Sequence, residues 1–269
     1  TLGEWILEVR RAFLSGEKID LNTRPNCVTH HQLSTDPLSN KQSQISVQYQ
    51  IRQNIHPHES LLIIGDSIKV TSRHDFARST QGIDVVEPVD LKDIIDLAGS
   101  FDSLQAYEIL DQVLNAASNF MTGTDKAGIL KRIETIKNGK NRTPPTNVEL
   151  QAIRLENQKS PKEIFNLILE LENSSATKVY RSAALAALKD TLLLSIAQPE
   201  KTLQESAVAI RERRRQQGDK RITNRSIGST LLLKGLEAEH VLILDASQMD
   251  MRNLYVALSR GSKTITLFS

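Results

Sequence analysis

Short aliphatic runs bounded by turn residues stand at both ends of this chain and are missing from its middle. "SLLIIGDS" at Ser60–Ser67 is the cleanest. An unbroken aliphatic run closed by Gly-Asp-Ser is the pattern of a strand buried on both faces. "GIDVVEP" at Gly82–Pro88 reads as the next strand. Between them, Asp66 or Ser67 is placed to cap a helix running to about Phe76. Near the C-terminus "IGSTLLL", "HVLILD" and "KTITLF" read as strands, and "QMDMRNLYVALSRG" as a helix. Strands alternating with helices predict a parallel α/β sheet.

From Asp90 to about Gln217 that rhythm stops. "DLKDIIDLAG", "DSLQAYEILDQVLNAASNFM", "DKAGILKRIETIKNG", "SPKEIFNLILELEN" and "SATKVYRSAALAALKDTLLLSIAQ" all show helical spacing. "SPKE" is a capping box with proline at the first helical position. The last helix, "PEKTLQESAVAIRERRRQQG", should end at Gly218. The simplest architecture is one α/β domain split in sequence by an all-helical insertion. Residues 1–88 and 223–269 would form the α/β domain, and residues 89–222 the insertion.

The N-terminal stretch places Leu2, Trp5, Ile6, Val9 and Phe13 on one helical face, stopped by Gly16. "KIDL" at Lys18–Leu21 reads as a short strand and Asn26–Ser43 as polar loop. "QISVQYQI" alternates at Ile45, Val47, Tyr49 and Ile51, which favours a strand; a helix starting here is the alternative.

Composition narrows the function classes. Aromatic residues make up 4% of the chain, which argues against a base-stacking surface. The net charge of +2 announces no nucleic-acid partner, although "RERRRQQGDKR" at Arg211–Arg221, together with Arg225, could follow a phosphate backbone. Its plainer reading is a solvated helix end. Cys27 is the only cysteine, so neither a disulfide framework nor a cysteine zinc site can form within the chain. That fits a reducing cytosol, and a cytoplasmic location is expected. No apolar run approaches the ~20 residues needed to span a bilayer, and the acidic, amphipathic start is no signal peptide. The sequence lacks an initiator methionine, which suggests an excised or processed piece, or simple methionine removal.

No G-x-x-x-x-G-K-[ST] phosphate loop, G-x-G-x-x-G fingerprint, H-E-x-x-H or G-x-S-x-G motif occurs. His30, His31, His56 and His58 fall in "HH" and "HPH" and are expected in solvated loops. Two C-terminal stretches remain. In "TLLLKGLEAEHVLILD", Lys234 and Glu237 flank a turn that Gly235 permits; they either form a surface ion pair or face a ligand. In "NLYVALSRG", Arg260 closes a helix, where a cation favours the dipole and a guanidinium could also reach a phosphate.

Taken together, "STLLLKGLEAEHVLIL" and "NLYVALSRGSKTITLFS" resemble motifs V and VI of the UvrD/Rep family of superfamily 1 DNA helicases, over about Ile227–Ser269. "IDLNTRPN" resembles that family's L-x-x-N-Y-R-S segment, with Thr23 and Pro25 replacing the usual Tyr and Ser. The resemblance implies a second RecA-like domain, with the helical block where the family carries its 2B insertion. It implies that Arg260 and Arg24 approach the nucleotide phosphates. Glu237, Gly235, Lys234 and Tyr255 would border the nucleotide, and Ser229 and Thr230 would contact DNA; Arg225, taken with the basic stretch, is the further expected DNA contact. Leu231 and Ala238 depart from the family's usual His and aromatic. ATP and Mg2+ would be bound mainly by a first RecA-like domain, whose motifs are absent here. Thr1 would follow that domain, and the chain would be inactive alone. The expected partners are that domain and single-stranded or partly duplex DNA. The rival expectations are a degenerate helicase-like adaptor whose helical insertion binds a protein, and a single-strand DNA-binding module.

Overall fold

The computed structural model describes residues 1–17, 20–217 and 223–269. In chain order the elements are α1 (Leu2–Ser15), β1 (Val28–His31), α2 (Pro37–Asn54), β2 (Leu61–Ile64), α3 (Val70–Ser79), β3 (Asp84–Val85), α4 (Lys92–Ser103), α5 (Ala106–Ser118) and β4 (Met121–Thr122). They continue with α6 (Lys126–Lys137), α7 (Asn147–Asn157), α8 (Pro161–Glu172), β5 (Lys178–Val179), α9 (Ser182–Ala197), α10 (Leu203–Gln217), β6 (Arg225–Gly228), β7 (Ala238–Ile243), α11 (Met251–Leu258) and β8 (Gly261–Phe268). The chain divides into two compact units: Thr1–Val86 with Ile222–Ser269, and Glu87–Arg221.

The first unit is an α/β sheet of six strands in the order β1-β8-β7-β2-β6-β3, with every pairing parallel. β2 is central, and all its residues are buried. Its register with β7 sets Leu62 beside Val241 and Ile64 beside Ile243, on the face that also carries Val28, Ile265 and Leu267. Trp5 and Val9 of α1, and Ala257 and Leu258 of α11, cover that face. β2 connects through α3 towards β3, whereas β7 connects through α11 in the opposite direction, towards β8. Crossovers of one hand running in opposite directions place their helices on opposite faces. The sheet is therefore doubly wound, and its direction reverses between β2 and β7.

Several expectations need correction. "QISVQYQI" is helical, inside α2. Asp36 accepts from the Leu38 and Ser39 amides, Pro37 opens the helix, and the inward stripe of half-buried Lys41, Gln44 and Arg52 with fully buried Gln48 has helical spacing. The supposed loop Asn26–Ser43 contains β1 and the start of α2, so His30 and His31 lie on a strand; His31 stacks on Phe268 with ring centroids 4.9 Å apart. α3 begins at Val70, later than expected, because Asp66 takes the Ile68 and Lys69 amides in the preceding turn. "IGSTLLL" is strand only through Gly228, after which Thr230–Gly235 is turn. β6 and β7, on either side of that turn, are not neighbours: β2 lies between them. "KIDL" falls partly outside the described residues; its described end enters a 3-10 turn at Leu21–Thr23. Gly16 does stop α1, in the left-handed region at φ 73°.

The second unit is helical apart from one short antiparallel pair, β4 with β5, so it is not all-helical. α9 packs against α4, α8 and α10 and buries Leu185, Leu188 and Leu192. α7 had no separate expectation. The expected stop at Gly218 and the last part of the basic stretch lie outside the described residues.

Candidate functional site

Parallel strands gather the residues that precede them at one edge of the sheet. Arg24 precedes β1, Arg260 precedes β8 and Glu237 precedes β7, and these are adjacent strands. All three residues therefore lie on the amino side of the sheet; Glu237 and Arg260 precede paired residues, Ala238 and Gly261, whereas β1 joins β8 only at Ile265, four residues further along. Arg24 leaves the 3-10 turn that Asp20 caps, and its Nη1 donates to the Leu21 carbonyl at 2.7 Å. The side chain is otherwise exposed. Glu237 is also exposed, and its neighbour Ala238 donates its amide to the Arg260 carbonyl at 2.9 Å. No ion pair joins Glu237 to Lys234 or Arg260 among the described residues, so the surface-pair reading of the turn does not hold.

Arg260 is half-buried and already employed. Its Nε donates to the Val256 carbonyl at 3.0 Å, Nη1 to the Leu236 carbonyl at 3.0 Å and Nη2 to Ser259 Oγ at 2.9 Å. The guanidinium thus ties the end of α11 to the turn before β7. In that turn Leu233 is fully buried and Leu231 is 76% exposed. Gly235 takes φ 85°, a conformation that glycine adopts without steric cost. Lys234 is exposed, and Tyr255 sits half-buried on α11.

The three expected DNA contacts separate. Arg225 opens β6 at the amino edge, where burial and then the neighbouring Arg52 charge lower its pKa. Ser229 and Thr230 follow the opposite end of the same strand, roughly 13 Å away at about 3.3 Å per residue. Both are buried rather than turned to solvent. Ser229 Oγ accepts from the Leu232 amide at 3.3 Å and so holds the turn. Thr230 Oγ1 is buried with no hydrogen-bond partner.

Neither a family model nor a curated protein matches this chain. What the residues can do must be read from their own geometry.

The amino edge also holds a polar cluster that the sequence reading missed. Glu59 bonds Lys263 and lies 3.3 Å from His240 Nε2, while His240 Nδ1 contacts Thr264 Oγ1 at 2.7 Å. Glu239 accepts from the Ser60 amide at 2.9 Å and from the Ser60 hydroxyl. The hydrogen bond from Lys263 and the His56 amide hold Glu59 at a pKa of about 2. The Ser60 hydroxyl and amide do the same for Glu239, at about 2. These partners lie up to 204 residues apart in sequence, so no local motif could reveal them.

At the carboxyl edge, a cleft of about 680 Å³ opens where the sheet reverses, between the ends of β2 and β7. Open α/β sheets characteristically bind ligands there. Two helices start at this cleft, but Asp36 already occupies the first amides of α2, and Asp66 those preceding α3. Asp75 and Asp245 add further negative charge against Lys41 and Lys69. The cleft is therefore poorly suited to a bare phosphate.

No group of His, Cys, Asp or Glu able to hold a metal occurs among the described residues. The amino edge offers guanidinium groups but no glycine-rich cradle, and its carboxylates form no metal-holding group among the described residues. The chain's own residues therefore do not fit Mg-ATP as a complete site. No helix among the described residues is long and apolar enough to cross a membrane.

Proposed function

We propose that this chain is the second RecA-like domain of an ATP-driven DNA helicase of the UvrD/Rep type. The unit Glu87–Arg221 would stand where that family carries its 2B insertion. The observation that carries the reading is that Arg24, Arg260 and Glu237 precede the adjacent strands β1, β8 and β7, on the amino side of a parallel sheet. These residues belong to the segments that resemble the family's motifs.

In this reading the chain supplies charge to a nucleotide held by another domain. The Arg260 fork exchanges its carbonyl partners for phosphate oxygens, which accept stronger, charge-assisted bonds. Arg24, free apart from one carbonyl, is the second cation. Release of Leu236 by Arg260 would loosen the Lys234–Glu237 turn. The same turn begins at Thr230, whose buried hydroxyl has no partner among the described residues; only once the turn loosens could a DNA phosphate satisfy it. Nucleotide contact at one end of the turn would thereby be felt at the other.

The test is DNA-stimulated ATPase of the full reading frame that contains this chain. Arg260→Ala is expected to lower turnover about 1,000-fold or more, as removal of an arginine finger does, with DNA affinity little changed. Wild-type turnover in that variant, or a reading frame without a phosphate loop, would overturn the reading.

The engagement of all three Arg260 guanidinium nitrogens by the chain's own atoms favours a second reading, a helicase-like adaptor without ATPase activity. Loss of a bound partner on deleting Glu87–Arg221, with no ATPase in the full protein, would select it.

A further inference from the structure

The helical unit holds a cavity of about 380 Å³ at the end of the bundle where α4 and α9 finish and α8 and α10 begin. Small-molecule pockets span about 300–1,000 Å³, so the size admits a ligand. Its walls are mainly apolar, from Phe101, Ile164 and Leu203, all buried, and from the partly exposed Ile196.

The polar side of the cavity is unfinished. Ser195 lines it, is 5% exposed, and has no hydrogen-bond partner among the described residues. Hydroxyls on a helix usually bond back to the carbonyl four residues earlier, as Thr191 does to Ala187 at 2.8 Å on the same helix. Ser195 does not. At the amino terminus of α8, Ser160 Oγ takes the Glu163 amide at 3.3 Å, and Pro161 has no amide to offer. The Lys162 amide is left without an acceptor among the described residues.

Charge at the cavity is one-sided. Lys159, Lys162 and Lys201 border it. Lys159 Nζ is bound to the backbone oxygens of Leu104 and Asp102, while Lys162 and Lys201 have no carboxylate partner among the described residues. The one carboxylate, Asp102, is committed: its oxygens accept the Leu203 and Gln204 amides at 3.0 and 2.9 Å, capping α10. A helix amino terminus and three lysines thus border a mainly apolar chamber, which Ser195 also lines with a hydroxyl that bonds no other described residue.

We propose that this cavity binds a small amphiphile, with its apolar body among Phe101, Ile164 and Leu203. Its anionic head, a carboxylate or a phosphate monoester, sits against Ser195, the Lys162 amide and the lysines. The site is independent of the helicase reading, since every residue lies within the helical unit. A bound ligand would link four helices and stabilise the unit in proportion to its occupancy.

The full chain is titrated with decanoate, decyl phosphate and decanol below their aggregation concentrations, followed by amide NMR shifts and thermal denaturation. Decanoate or decyl phosphate is expected to bind saturably, with shifts centred on Lys162 and Ser195, and at least about tenfold more tightly than decanol. The stronger of the two acids identifies the head group. Lys162→Glu with Lys201→Glu, both surface changes near helix amino termini, should weaken the acid about tenfold without lowering the melting temperature of the free protein, because acidic groups favour those termini. Ser195→Leu, which fills the chamber, should abolish binding. Equal affinity for acid and alcohol, unchanged affinity in the double charge reversal, or saturable binding that survives Ser195→Leu would each overturn the proposal. If Ser195→Leu fails to fold, the charge-reversal variant decides.

Discussion

The Arg260 guanidinium donates to the Leu236 carbonyl at 3.0 Å, so one side chain closes the turn that presents Lys234, Gly235 and Glu237. The same fork reaches Val256 and Ser259, and its planar geometry makes the three bonds possible at once. A lysine keeps the charge but can serve only part of that set. Arg260→Lys is expected to cost roughly 1–2 kcal/mol of unfolding free energy. Trp5, the single tryptophan, is buried in the same unit and gives a fluorescence signal for urea titration. Amide exchange at Leu236 and Glu237 should accelerate in the variant. Unchanged exchange there would show that the fork does not hold the turn.

Gly235 separates backbone strain from packing. Its φ is 85°, and an added β-carbon would meet nothing within 4 Å. Gly235→Ala should therefore cost only the left-handed penalty, roughly 1 kcal/mol. Asparagine tolerates that region better, so Gly235→Asn should recover about half the loss. The urea midpoints of the two variants check the order. A much larger loss for alanine would mean that the space beside the turn closes in solution.

The polar cluster at the amino edge makes the stability of the sheet unit acid-sensitive. Glu59 and Glu239 are each lowered from the ordinary value of 4.5 to about 2 by their hydrogen bonds. A carboxylate with a depressed folded-state pKa contributes stability above its unfolded value, and the contribution disappears as pH falls towards the folded one. The contribution is present in full above about pH 5 and fades between pH 4.5 and 2. Glu59→Gln should flatten the pH dependence of the urea midpoint across that window and leave it unchanged in sign above pH 6. An identical slope in the variant would exclude Glu59 as a source.

Strands β2, β7 and β8 were legible because central parallel strands bury both faces and so read as aliphatic runs. β1 was not. It is an edge strand in which only Val28 of Val28–His31 is buried, and its polar residues look like loop. β3, the other edge, has only two residues, yet it lies inside the run "GIDVVEP" that reads as strand; β4 and β5, also of two residues, are too short for any period to show. The alternation at Ile45–Ile51 misled because the inward stripe of α2 is largely Lys, Gln and Arg, while Asp36 and Pro37 carried the true helix signal. In the candidate site, the residue types at Lys234–Glu237 and Arg260 were visible in sequence. Their shared edge was not, since it follows from strand order. Neither the carbonyl clamp of Arg260 nor the burial of Ser229 and Thr230 leaves a local trace.

Arg181 anchors the helical unit through a buried ion pair whose removal should cost more than its replacement. Its Nε and Nη2 donate to the two Glu87 oxygens at 2.6 and 3.0 Å, and both side chains are 5% exposed. The guanidinium also bonds the half-exposed Asp93 and lies 5.3 Å from the Phe120 ring centroid. Arg181→Met strands the Glu87 carboxylate in a low-dielectric site without its counter-charge, which should destabilise by about 3–5 kcal/mol. Arg181→Met with Glu87→Leu removes both charges and should regain most of that loss, because apolar groups of similar size avoid the desolvation cost. Far-ultraviolet circular dichroism during urea unfolding at pH 7 reports all three chains. A double variant as unstable as the single one would show that Arg181 acts mainly through Asp93 and Phe120 rather than through Glu87.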